Sequence, residues 1–92
     1  MHREEIEQIL LGTIEIVQRA SGAPSAPIAP SLRPIGGLPG FDSLRGLVVC
    51  TELEKAFKFK SDENLFVSED GKRALTVNEI VDRIIETIEE NE

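Results

Sequence analysis

Apolar residues recur at three- and four-residue steps in three stretches of the chain, and each stretch predicts a helix. In residues 3–20, Ile6, Ile9, Leu10, Thr13, Ile14 and Val17 fall on one face. Glu4, Glu5 and Glu7 suit the positive end of such a helix, Arg19 suits the negative end, and Gly22 supplies a stop. In residues 43–57 the pattern is denser. Leu44, Leu47, Val48, Thr51 and Lys55 make one stripe, and Val49, Leu53 and Phe57 make a neighbouring one. That breadth predicts a helix packed on more than one neighbour, with Asp42 as N-cap and Ser43 as the first helical residue. In residues 76–90, Thr76 and Glu79 form a T-x-x-E capping box ahead of a stripe of Val77, Ile80, Val81, Ile84, Ile85 and Ile88.

The intervening segments lack this period. Residues 21–42 hold all of the prolines, Pro24, Pro27, Pro30, Pro34 and Pro39, together with Gly36, Gly37 and Gly40. Proline removes backbone donors and blocks helix continuation, so a long loop is expected. Ala23 to Pro30 reads as a linker, while Leu32, Ile35, Leu38 and Phe41 are placed to pin the rest onto a core. Phe59, Leu65 and Phe66 follow the second helix, where Ser61 and Asp62 can cap one short helical turn, and Glu69 to Lys72 reads as a turn. Leu65-Phe66-Val67 is too short to pair as a strand. The expectation is a single all-α domain over residues 1–92: a small four-helix bundle of three longer helices and one short one, with the Pro/Gly-rich loop between the first two.

Composition narrows the function. The chain has 92 residues, 40% hydrophobic and 29% charged, an ordinary globular mix with no apolar run long enough for membrane insertion. No basic–apolar–small-residue leader opens it, and one cysteine cannot form an internal disulfide or a zinc cluster. A cytoplasmic, reducing location is therefore expected, with Cys50 a small core residue rather than a nucleophile. Seventeen acids against ten bases give a net charge of −7, which disfavours nucleic acid. The only aromatics are four Phe residues, and the only histidine is His2. Catalysis by an internal histidine has no candidate, so the chain reads as a non-enzyme that enzymes act upon, and a monomer is expected. The acidic tail from Glu86 to Glu92 reads as a solvated helix end, with no metal implied.

One constellation stands apart. Gly40-Phe41-Asp42-Ser43-Leu44 puts a serine at a helix start, behind an aspartate and after a Gly/Pro loop. A phosphate ester on that oxygen would lie beside free N–H groups at the positive end of the helix dipole. Here the chain resembles the acyl carrier protein family, from residue 3 to about residue 90. Asp42-Ser43-Leu44 is similar to the D-S-L motif of that family, and Leu53-Glu54-Lys55-Ala56-Phe57 to its L-E-x-x-F helix ending. Asp62 to Phe66 falls where its short third helix begins, and Leu75 to Ile80 resembles the start of its last helix.

The resemblance implies that Ser43 carries a 4′-phosphopantetheine arm, with Asp42 and Leu44 as its motif neighbours. The arm's thiol would hold acyl groups as thioesters and present them to partner enzymes of a lipid or related acyl-transfer pathway. The implied partners are a phosphopantetheinyl transferase and acyl-transfer or condensing enzymes. The apolar face of Leu47, Val49, Leu53 and Phe57, with Phe59, Leu65 and Phe66, is the expected acyl-chain pocket. Two positions depart from the family, which commonly has acids where this chain has Arg45 and Val48. Residues 43–60 hold four bases and two acids, net +2, whereas residues 74–92 hold one base and six acids, net −5. Arg45 and Val48 thus mark the expected partner surface of a specialised carrier. The alternatives are a peptidyl or aminoacyl carrier and an unmodified helical adaptor that binds a partner helix.

Overall fold

The computed structural model describes residues 2–24 and 26–91. Met1 and Glu92, the ends of the expected domain and acidic tail, and Ser25 of the loop lie outside the described residues.

Helix α1 spans Arg3–Ala20 and buries Ile6, Leu10, Ile14 and Gln18, a straight four-residue stripe. Ile9 and Val17 pack along its edge. The helix closes as the sequence predicts: Gly22 takes φ 78°, and the N–H groups of Gly22 and Ala23 donate to the carbonyls of Arg19 and Gln18.

The Pro/Gly-rich segment is not structureless. Pro34–Gly37 forms a four-residue helical turn, α2, closed by the Leu38 N–H donating to the Pro34 carbonyl at 3.1 Å. Pro34 suits its first turn because that position needs no backbone donor. The turn is irregular, and Gly36 sits at φ 89°, where a side chain would be strained. Leu38 and Phe41 bury against the core. Upstream, the carbonyls of Pro30 and Leu32 accept from the N–H groups of Asn78 and Val77, donors that a helix start leaves unpaired. The loop therefore caps the last helix as well as crossing the molecule.

Helix α3 covers Ser43–Phe57, with Asp42 as N-cap, and ends at Lys58 in the left-handed conformation at φ 58°. Helix α4 covers Val77–Glu90 and buries Val77, Ile80, Val81 and Ile84. Its capping box is complete: Glu79 N–H donates to the Thr76 hydroxyl, and Thr76 N–H donates to the Glu79 carboxylate.

The connection from α3 to α4 corrects one expectation. No short helix forms at Asp62 to Phe66. Residues 59–76 run as turns with one antiparallel bridge between Val67 and Ala74, and the short helical turn lies in the preceding loop instead. The segment is fastened by side chains rather than by its own backbone period. Arg83 of α4 donates to the carbonyls of Asn64 and Val67 and pairs with Glu63.

Helix α1 packs against both α3 and α4. The core joins their buried stripes to Leu38 and Phe41 from one connection and to Phe59, Leu65, Phe66 and Leu75 from the other. The result is a compact, helical fold with no strand among the described residues and a radius of gyration of 12.1 Å.

Candidate functional site

Ser43 is the first residue of α3 and is exposed. Its position follows from local chemistry. Gly40 turns the chain at φ 66°, Phe41 anchors in the core, and Asp42 takes an extended backbone. The Asp42 carboxylate then accepts the Arg45 N–H at 2.9 Å, and its carbonyl accepts the Gly46 N–H at 3.0 Å. With its carboxylate engaged in capping, Asp42 shapes the turn that presents the serine. The N–H groups of Ser43 and Leu44 have no partner among the described residues, and they stand at the positive end of the helix. The exposed hydroxyl thus stands in the positive field of the helix end.

Two polar clamps hold this helix start. Arg45 is half-buried, and its guanidinium donates to the Gln18 side-chain oxygen at 2.8 Å and to the Pro39 carbonyl at 3.4 Å. Gln18 in turn donates to the Pro39 carbonyl at 2.8 Å. Arg45 thus ties α1, the loop and α3 together, so the position expected to meet a partner is engaged within the chain. On the other side, Asn64 donates to the Ser43 carbonyl at 3.0 Å and accepts the Phe66 N–H at 3.0 Å. Gly46 permits that approach: a Cβ there would lie 3.3 Å from the Asn64 oxygen and 3.4 Å from the Phe66 side chain. Cys50 is buried, and its sulfur accepts the Leu65 N–H at 3.4 Å. Burial pushes its thiol pKa up, so it carries no nucleophilic signal.

Neither Gln18 nor Asn64 is among the residues that the sequence singles out. Gln18 carried a readable signal, because it continues the Ile6, Leu10, Ile14 step onto a polar residue. Asn64 carried none, since it lies where no period runs.

The expected acyl-chain residues are only partly brought together. Val49, Leu53, Phe59, Leu65 and Phe66 join the packed core, Phe57 is half-buried, and Leu47 stands out in solvent. None of the seven lines the groove between α1 and α3 or the cavity between α1 and the loop. The two apolar stripes of α3 also part company. Val49 and Leu53 are covered, whereas Leu44, Leu47 and Val48 are 70%, 45% and 47% exposed.

Open space lies elsewhere. A groove of about 710 Å³ runs between α1 and α3, with Ile16, Val17, Val48 and Ala56 in its walls. A second cavity of about 410 Å³ lies between α1 and the loop residues Ala23, Pro24, Ala26, Pro27 and Ile28. No helix is long and apolar enough to cross a membrane, and no metal-ligating cluster of His, Cys, Asp or Glu gathers among the described residues. No family model, curated protein or solved structure matches the chain.

Proposed function

We propose that this chain is an acyl carrier of the phosphopantetheine-bearing kind, built as a small bundle of three longer helices. The observation that carries the reading is Ser43 itself. It is an exposed hydroxyl on the first residue of a helix, capped by the preceding aspartate, within the Asp42-Ser43-Leu44 motif. When bound, the 4′-phosphopantetheine arm supplies a thiol that holds acyl groups as thioesters. The chain's own part is mechanical. Asp42 shapes the turn, Arg45 and Gln18 fix the loop behind it, and Asn64 holds the Ser43 carbonyl. The serine hydroxyl is thereby presented to a phosphopantetheinyl transferase while the helix end receives the phosphate charge.

Arg45 and Val48, where the family commonly has acids, support service to a dedicated pathway rather than to generic basic-patch enzymes. The test is intact mass. Incubation with a phosphopantetheinyl transferase, coenzyme A and magnesium adds one arm to the protein, and Ser43→Ala stays folded and gains no mass. Modification that persists in Ser43→Ala overturns the assignment. A wild-type protein that gains no mass points to the unmodified adaptor.

A further inference from the structure

Among the described residues, four large apolar side chains stand out into solvent: Ile16, Leu44, Leu47 and Val48. Three of them lead to one place. Leu44, Val48, Glu52 and Ala56 follow at four-residue steps and share one face of α3. From Val48 onward that face forms a wall of the 710 Å³ groove, and Ile16, Val17 and Ala20 of α1 form the opposite wall. The track is apolar at Leu44, Val48 and Ala56 and is crossed by Glu52; it begins at Leu44, the neighbour of Ser43, and the groove opens five residues past the serine, roughly 8 Å along the helix axis.

The groove's character selects its occupant. Its volume is within the range of small-molecule sites. Its charged wall residues, Glu52 and Lys55, pair with each other at 3.4 Å, so it presents no net charge to a ligand. An uncharged aliphatic chain matches that, whereas an acidic or basic peptide finds no counter-charge. The core is closed by contrast: Val49, Leu53, Leu65 and Phe66 are each at most 1% exposed, and a chain entering there would displace close-packed side chains.

We infer that an aliphatic chain tethered at Ser43 lies in the groove between α1 and α3, along the track from Leu44 to Ala56, rather than inside the core. The tether rests on the carrier reading above; the groove is tested without it. Ser43→Cys places an exposed thiol at the attachment point, while the native thiol, Cys50, is buried. That variant is alkylated with N-decylmaleimide or, as control, N-methylmaleimide.

The decyl adduct raises Tm over the methyl adduct by roughly 5 °C, because the chain binds only the folded state. Its amide shift changes fall on residues 13–21 and 48–56. Ile16→Asp and Val48→Asp, both at exposed positions, abolish the rise and leave the methyl adduct's Tm within about 2 °C of the parent. Equal melting of the two adducts overturns the inference. So does a rise that survives both substitutions, or shift changes centred on Leu65 and Phe66, or a decyl adduct that elutes as a dimer. Failure of native Ser43 to accept an arm from a transferase overturns the carrier reading alone, since the alkylation uses no transferase.

Discussion

Val49 and Leu53 are completely covered, while Leu44, Leu47 and Val48, of the same chemistry and on the same helix, stand open. The difference lies in what packs against each face of α3. The covered face meets α1 and the segment around Asn64, Leu65 and Phe66, which Gly46 admits to close range. On the open face Val48 lines a groove, and Leu44 and Leu47 stand in solvent. A broad apolar helix face is therefore divided here: half of it stabilises the fold, and the other half stays open to solvent.

The largest effect that sharpens this contrast comes from truncating matched leucines. Leu53→Ala removes a fully buried side chain and costs about 2–5 kcal/mol in urea denaturation, whereas Leu47→Ala costs less than about 1 kcal/mol. Similar losses at the two positions would mean that Leu47 is covered in solution.

Gly46→Ala probes the close approach that shuts the covered face. Alanine in a helix gains about 1 kcal/mol over glycine. The new Cβ meets Asn64 and Phe66 at 3.3–3.4 Å, and Phe66 is fully buried. Overpacking at such a site costs about 1–3 kcal/mol, so a net loss on the order of 1 kcal/mol is expected. A stabilised variant would show that the Asn64–Phe66 segment yields easily.

The smallest effect is set by pH, at the end of the segment that closes this face. The Arg73 guanidinium and the Thr76 N–H hold the Glu79 carboxyl down, from its ordinary value near 4.5 to about 2. A depressed carboxylate contributes stability that is complete above its unfolded value and lost as pH falls through the folded one. Tm should therefore decline from about pH 4.5 toward pH 2, and Glu79→Gln should flatten part of that decline. Because Glu79 is accessible to solvent, the change is modest and shrinks further in high salt.

The helices were legible because their signals are local. The Thr76–Glu79 box, the Asp42 cap and the Gly22 stop place three helix boundaries, and each is met by neighbours within a few residues along the chain. The serine at the start of α3 was legible for the same reason. The short helical turn was misplaced. Ser61 and Asp62 looked like a cap, and indeed the Ser61 hydroxyl accepts the Glu63 N–H, but the helix does not propagate. Arg83, 19 and 16 residues further along the chain, donates to the segment's Asn64 and Val67 carbonyls instead, and the Asn64 side chain reaches back to the Ser43 carbonyl.

The starts of α3 and α4, the stop of α1 and the residue that opens α3 could be read from neighbouring residues alone, since capping, dipole and period act within one or two turns. Tertiary structure alone decided which stripe of α3 is sealed and which borders a groove. It also turned Arg45 toward Gln18 and Pro39, and it made a polar residue, Gln18, part of the buried stripe. Side-chain period states that a face is apolar; only the elements brought against it from distant parts of the chain determine what covers it.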